Sequence, residues 1–219
     1  VRAGPIFDAA DPDEDNALFR LANRLHVTTR PSVVTRALLF RSGEPVSARL
    51  IEESERLLRA DRQFYDVAIR PVALHDDGVV DIEVATRDTW SFDPGLSVGH
   101  SGGRTTGGFD VRDYNVFGTG TMISLGRAKD VDRTSTAFEF SNERAFGTRA
   151  AFDLQHATSS DGRRDAISLV RPFYALDARW SAGASALDET RVDSVYEAGE
   201  AVARYRRGER RAELFGALS

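Results

Sequence analysis

Ala150-Ala151-Phe152-Asp153-Leu154-Gln155 sets Ala150, Phe152 and Leu154 against Ala151, Asp153 and Gln155 in strict alternation. Phe138-Glu139-Phe140-Ser141 repeats the pattern, with Phe138 and Phe140 on one side and Ala137, Glu139 and Ser141 on the other. Period two is what a strand with one apolar and one polar face requires. Outward from these two stretches the same reading gives strands at 95–101, 106–115, 120–128, 134–142, 148–158, 164–171, 178–187, 194–206 and 210–218. Gly, Asp or Asn turns separate them and no helical pattern covers them, so the residues from Gly95 onward predict a closed antiparallel barrel.

The expected connections fall into two classes. Gly102-Gly103-Arg104, 129–133, 159–163 and 188–193 are polar and charged. Val116-Phe117-Gly118, Ala145-Phe146-Gly147 and Pro172-Phe173-Tyr174 carry aromatics, and 207–210 is the exception to that second class. Aromatic-rich turns at one end match an interfacial girdle. The polar set Glu139, Asp153, Gln155, Ser168 and Ser185 opposes the apolar set Phe138, Phe140, Phe152, Leu154, Ile167, Leu169, Trp180, Ala182 and Ala184. Alternation alone leaves open whether the apolar set meets lipid or fills a dry interior.

The 219 residues are 41% hydrophobic and 29% charged, which excludes disorder, and the net charge of -5 lacks the basic footprint of a nucleic-acid binder. With no cysteine, disulfides and thiolate metal sites are excluded. No window approaches the ~18 apolar residues of a membrane helix, which says nothing against membrane strands of ~9–11 residues. The arginines of 204–211 read as a solvated turn. The chain starts at Val1 and ends on an apolar run, so a fragment of a longer protein is expected.

Ahead of the barrel, residues 1–26 read as a short strand, Val1 to Phe7, and a helix with Asp11 as N-cap, Pro12 at its first position and Glu14 completing a capping box. Leu18, Leu21, Ala22 and Leu25 form its apolar stripe. A strand from Val33 to Phe40 follows, then a helix from Ser47 to about Asp61 with Glu52–Arg56 and Glu55–Arg59 pairs. Strands from Phe64 to Leu74 and Val79 to Arg87 complete an α+β module, with helices on one face of a small three-stranded sheet.

His26-Val27-Thr28-Thr29-Arg30-Pro31, Leu38 to Gly43, Glu53 to Arg59, Val79 to Val84 and Thr86-Arg87-Asp88-Thr89-Trp90 together resemble a polypeptide-transport-associated (POTRA) domain. It is similar to the one that precedes the barrel of outer-membrane assembly proteins of the BamA/TamA type. Asn115-Val116-Phe117-Gly118-Thr119-Gly120 is similar to that family's turn after the second barrel strand, and Ser160-Asp161-Gly162 and Arg171 to Tyr174 to later turns. The resemblance covers nearly the whole chain. It implies an N-terminal strand and helix at 1–26, a POTRA-like domain at 27–93 and barrel strands at 94–219, about nine transmembrane strands of roughly 16 expected. The family's Arg-Gly-aromatic motif, in the second half of the barrel, is not present. Assembly factors, two-partner secretion transporters and enzyme-fused relatives share this layout, so the branch stays open.

The resemblance implies an outer-membrane protein, with the POTRA in the periplasm, that assembles or translocates polypeptides without catalysis. Val67, Ala68, Ile69, Arg70, Val72 and Leu74 would form an edge strand to which clients add by β-augmentation, with Pro71 limiting its length. Gly95, Leu96, Ser97, Val98 and Gly99 would form the first strand of an openable seam, weakened by glycines at 95, 99, 102 and 103. The implied partners are unfolded outer-membrane or secreted polypeptides, outer-membrane lipid, and periplasmic or lipoprotein components, with no nucleic acid. Alternatives are the export barrel of an upstream enzyme such as a patatin-like lipase, and a soluble barrel for an apolar ligand.

No catalytic, metal or cofactor site is expected. Gly95-Leu96-Ser97-Val98-Gly99 matches the G-x-S-x-G elbow, but no helix is readable after it. Asp11, Asp13 and Asp15 imitate a calcium loop, yet Asn16 and Ala22 stand where Gly and Glu are needed. The four histidines are far apart in sequence. Gly102-Gly103 and Gly107-Gly108 open no helix that could cradle phosphate.

Overall fold

Val34, Ala37, Leu58, Phe64, Val67, Ile69 and Val84 bury against one another and form the core of the first unit. The structure is a computed structural model that describes residues 1–8, 10–101 and 103–219. It divides into two units: Val1–Phe92 with Tyr114–Thr121, and Asp93–Asp113 with Met122–Ser219.

The first unit runs β1 (Arg2–Gly4), α1 (Ala17–Leu25), α2 (Pro31–Ala37), α3 (Ala48–Arg59), β2 (Phe64–Leu74) and β3 (Val80–Asp88). The sheet order is β1-β3-β2, with β1 parallel and β2 antiparallel to the central β3. β2 is therefore an edge. Ser47 caps α3 through the Leu50 amide, as its sequence predicts.

Two readings of this region are corrected. Val33 to Phe40, expected as a strand, begins as helix α2. Pro31 occupies the first turn and Val33, Val34 and Ala37 bury one side of the helix, so packing overrides the β preference of the valines. Helix α1 starts at Ala17 and is capped by Asn16, not Asp11. The Glu14 carboxylate is engaged elsewhere, accepting from the Asp8 amide at 2.6 Å and pairing with Arg87 at 2.6 Å. The leucines of the apolar stripe of α1 are exposed, with Leu18 at 69% and Leu25 at 66%, and Ala22 is half-buried.

The second unit is an antiparallel sheet of β4 (Phe92–Ser101), β5 (Arg104–Asp113), β6 (Thr121–Lys129), β7 (Thr134–Ala145), β8 (Ala150–Ser159), β9 (Gly162–Arg171), β10 (Trp180–Glu197) and β11 (Glu200–Leu218). The strands lie in sequence order, with β4 and β11 at the edges. The described strands number eight, not nine. The expected connections at 188–193 and 207–210 pair within one long hairpin, Asp188 opposite Arg210 and Arg191 opposite Arg207. Its turn is at Ala198-Gly199, where φ is 50° and 88°. The arginine run of 204–211 is thus strand, not turn.

With that hairpin restored, the exception among the aromatic connections disappears. The connections after β7 and β9 hold Phe146 and Phe173-Tyr174. Val116-Phe117-Gly118-Thr119 and Ala145-Phe146-Gly147-Thr148 are the same turn twice. Phe117 and Phe146 sit at φ 54° and 56°, each followed by a positive-φ glycine. The Thr119 amide donates to the Val116 carbonyl and the Thr148 amide to that of Ala145, at 3.2 and 2.9 Å. The threonine hydroxyls donate to the same carbonyls at 2.7 and 2.8 Å. Both are turns of the primed kind, with two successive positive-φ residues; the second joins β7 to β8 directly, whereas the first lies inside the longer 114–120 connection between β5 and β6.

Candidate functional site

The register of β7 to β11 sorts the sheet into two faces. Glu139 opposes Gln155, Gln155 opposes Ala166, Asp153 opposes Ser168, and Ser168 opposes Ser185. Hydrogen bonds cross this polar face from strand to strand. Gln155 Nε2 donates to Glu139 Oε1 at 2.8 Å, and Arg164 Nε donates to Gln155 Oε1 at 2.9 Å while its Nη1 pairs with Glu189 at 2.5 Å. Ser141 and Ser168 both donate to the Asp153 carboxylate, at 2.7 and 3.0 Å. Glu139, Ser141, Asp153, Gln155 and Arg164 are among the residues that line a cavity of about 360 Å³ on the sheet, as are Phe140, Leu154 and Ile167.

The other face carries Phe140, Leu154, Ile167 and Ala186 in one row and Phe152, Leu169, Ala184 and Leu214 in the next. None of these side chains is buried. Ile167 is 45% and Leu169 42% exposed, and the buried hydrophobics among the described residues of this unit are Ala145, Ala175 and Ala178. At one end of the band Arg171 stacks 3.6 Å over the Trp180 ring and 4.8 Å over Tyr174. At the other, Arg210 pairs with Asp188 at 3.3 Å and His156 with Asp165 at 2.5 Å. From Trp180 to Asp188 the band measures about 26 Å along a strand rising ~3.3 Å per residue. A tilt of ~40° makes this about 20 Å of height, near the ~25 Å apolar belt of an outer-membrane barrel.

Gly95, Leu96, Ser97, Val98 and Gly99 all lie on β4, an edge strand, and Leu96 and Val98 are 84% and 78% exposed. Ser97 sits within a continuous strand and its hydroxyl donates to the Gly108 carbonyl of neighbouring β5 at 3.5 Å, which is not the geometry of a nucleophile elbow. The glycines do more than loosen a ladder. A Cβ on Gly95 would collide with the Asp110 carboxylate, and one on Gly126 would stand 3.2 Å from Asp110 Cβ. Glycine there makes room for an acidic side chain. Gly102, expected in the same strand, lies outside the described residues.

On β2, Val67 and Ile69 are core residues at 0% and 4% exposure, Ala68 is half-buried, and Arg70, Val72 and Leu74 are exposed. The edge of the strand is not bare. Arg59 of α3 donates from Nε and Nη2 to the Val67 carbonyl, at 3.0 and 2.8 Å. Glu55 Oε2 accepts from the Ile69 amide at 2.9 Å, and the two side chains pair at 3.0 Å. Pro71, two residues on, has no amide hydrogen to offer. Between α3 and this edge runs a groove of about 580 Å³ lined by Ala48, Ile51, Glu55, Arg59, Ile69 and Pro71. The sequence shows Glu55 and Arg59 as a helix-surface pair; that they reach the strand edge depends on how α3 packs.

A buried polar network also escapes the sequence reading. Asp88 is fully buried and its Oδ2 accepts from the Thr29 amide at 2.6 Å and lies 2.9 Å from His26 Nε2. The Thr29 hydroxyl accepts from Asn115 Nδ2 at 2.7 Å, and Asn115 Oδ1 accepts from the Gly120 amide at 2.8 Å. The Arg30 amide donates to the Gly118 carbonyl at 2.9 Å, and a Cβ on Gly118 would collide with the Thr28 carbonyl. The Asn115 to Gly120 turn therefore packs on the loop between α1 and α2. A cue stood in the sequence, a short polar residue before a glycine-rich turn, but its partner Thr29 is 86 residues away.

No family model matches the sequence. No curated protein matches it either. Among solved structures, the chain is similar to the crystal structure of BamA from Haemophilus ducreyi lacking POTRA domains 1–3, with a TM-score of 0.57 at 12% identity. The similarity covers 87% of this chain and 42% of that one, so this chain spans less than half the length of the structure it matches. At that identity the likeness is one of fold, and the fold of this chain is that of a BamA-like barrel sheet with a small α+β unit.

Proposed function

We propose that this chain is part of an outer-membrane protein that assembles or translocates polypeptides, with a POTRA-like domain at 27–93 in the periplasm and barrel strands crossing the membrane. The observation that carries the reading is the division of the sheet's faces. Half-buried Phe152 and Leu154 and exposed Ile167 and Leu169 form a band between an aromatic row and a charged row, while on the opposite side Gln155 bonds Glu139 and Arg164, and Asp153 bonds Ser141 and Ser168. A soluble barrel would gather the first set into a dry centre. A membrane barrel exposes it to lipid and keeps the second set wet.

Two edges suit strand exchange with an unfolded polypeptide. β2 offers main-chain groups beside a groove, and β4 is an edge strand whose glycines give little side-chain packing. Bound clients would be extended outer-membrane or secreted segments, with periplasmic or lipoprotein components as further partners. A photo-crosslinking residue at Val72 in cells is expected to capture nascent barrel polypeptides. Absence of such adducts, with the protein present in the envelope, contradicts the reading.

A further inference from the structure

We propose that Glu55 and Arg59 are a latch on the β2 edge, which an incoming strand must displace before it can pair. The inference rests on the reading of β2 as a capture edge and adds how that edge is controlled. An exposed strand edge presents unpaired amides and carbonyls that template pairing with any extended chain, and proteins blunt such edges with charge, proline or a covering element. Here two side chains imitate a neighbouring strand. Arg59 supplies two donors to the Val67 carbonyl, Glu55 supplies an acceptor to the Ile69 amide, and Pro71 ends the run.

The latch is built to open. Its members are half-exposed, Arg59 at 53% and Glu55 at 28% of the side chain, and they stand at the mouth of the groove. Arg59 has a second acidic neighbour on β2 itself, Asp66 at 3.4 Å, which can hold the guanidinium after it leaves Val67. Once the pair swings away, the Val67 carbonyl and the Ile69 amide are free to bond to an extended segment. The groove floor of Ile51, Ile69 and Pro71 accepts an apolar side chain from that segment. Weak sequences fail to displace the charged pair, and only strands with a matching apolar residue compete. Capture is thereby reduced by the fraction of molecules that are latched.

The test uses the full chain in detergent, a fluorescent peptide of the β8 sequence (residues 150–159) as probe, and a benzophenone at Val72 to report capture at this edge. Hydrogen exchange of the Ile69 amide is followed in parallel. Arg59→Lys and Glu55→Gln are conservative variants that keep the fold, and the double variant Glu55→Ala/Arg59→Ala removes the latch. The expected result is faster Ile69 exchange and about tenfold tighter peptide capture in the double variant, with smaller gains in the conservative ones. Bound peptide should restore Ile69 protection. Capture that is equal or weaker in the variants, with the unmodified chain capturing normally, overturns the latch and leaves the edge reading standing. Capture by none of the proteins overturns both.

Discussion

Asn115 holds two partners at once, the Thr29 hydroxyl and the Gly120 amide, at 2% exposure. Asn115→Ala leaves both without that side chain in a site water does not reach. The expected cost is about 1–3 kcal/mol of the first unit's stability, read by hydrogen exchange of the amides at Thr29 and Gly120. Unchanged protection would show the network to be incidental. Phe146 poses the opposite case, a bulky residue held at φ 56° and 79% exposed. The left-handed region costs an L-residue roughly 1–2 kcal/mol, and asparagine tolerates it best after glycine. Phe146→Asn should therefore stabilise the hairpin in detergent while weakening retention in lipid vesicles, because an interfacial ring is lost. A variant retained as well as the parent would mean the ring has no interfacial role. At Glu14 the hydrogen bond from Arg87, then that from the Asp8 amide, hold the carboxyl below its ordinary value of 4.5, against a smaller opposing effect of burial. A lowered carboxylate pKa stabilises the fold above the unfolded-state value and the contribution fades as pH falls through the lowered one. The stability difference between the parent and Arg87→Met, from urea titrations, should shrink as pH drops from 6 to 3. A difference that is constant across that range would contradict the pairing.

At the scale of elements, the two faces of β8 and β9 make a directional prediction. Leu169→Arg places a charge in the middle of the apolar band, whereas Ser168→Arg, one residue away, adds it to the wet face. The first should cost about 2–4 kcal/mol of stability in lipid bilayers and the second little, measured by urea unfolding from vesicles. Equal costs would contradict the assignment of faces. The alternation that supports this prediction was legible in Phe138 to Ser141 and Ala150 to Gln155, since each side chain's face follows from period two alone. Legibility ends where the strands leave the apolar band. Between Asp188 and Arg210 both faces of the hairpin carry charges and the apolar Val192 and Val195 fall on opposite faces, so the period vanishes and charged pairs resemble turns; the true turn is marked by Gly199. Val33-Val34-Thr35 misled for a different reason, because a seven-residue helix that buries three side chains is stabilised by packing and not by propensity. That β2 is an edge was implied by the resemblance and not by the residues of Phe64 to Leu74 themselves. What covers it was not legible, because the Glu55–Arg59 pair has the spacing of any helix-surface ion pair.

The whole molecule joins an α+β unit with a small dry core to a sheet that carries Phe152, Leu154, Ile167 and Leu169, none of them buried, on one face and a hydrogen-bonded polar set on the other. On the proposed membrane reading, the second unit meets hydrocarbon at Phe152, Leu154, Ile167 and Leu169 and keeps Asp153, Gln155 and Arg164 hydrated. The direct measurement is spin-label accessibility along residues 152–155 and 166–169 of the chain reconstituted in lipid, with oxygen and a water-soluble nickel chelate as the two relaxants. The expected result is a period-two pattern in which positions 152, 154, 167 and 169 favour oxygen and 153, 155, 166 and 168 favour the chelate. The reverse pattern, with the chelate reaching 152, 154, 167 and 169, would contradict it.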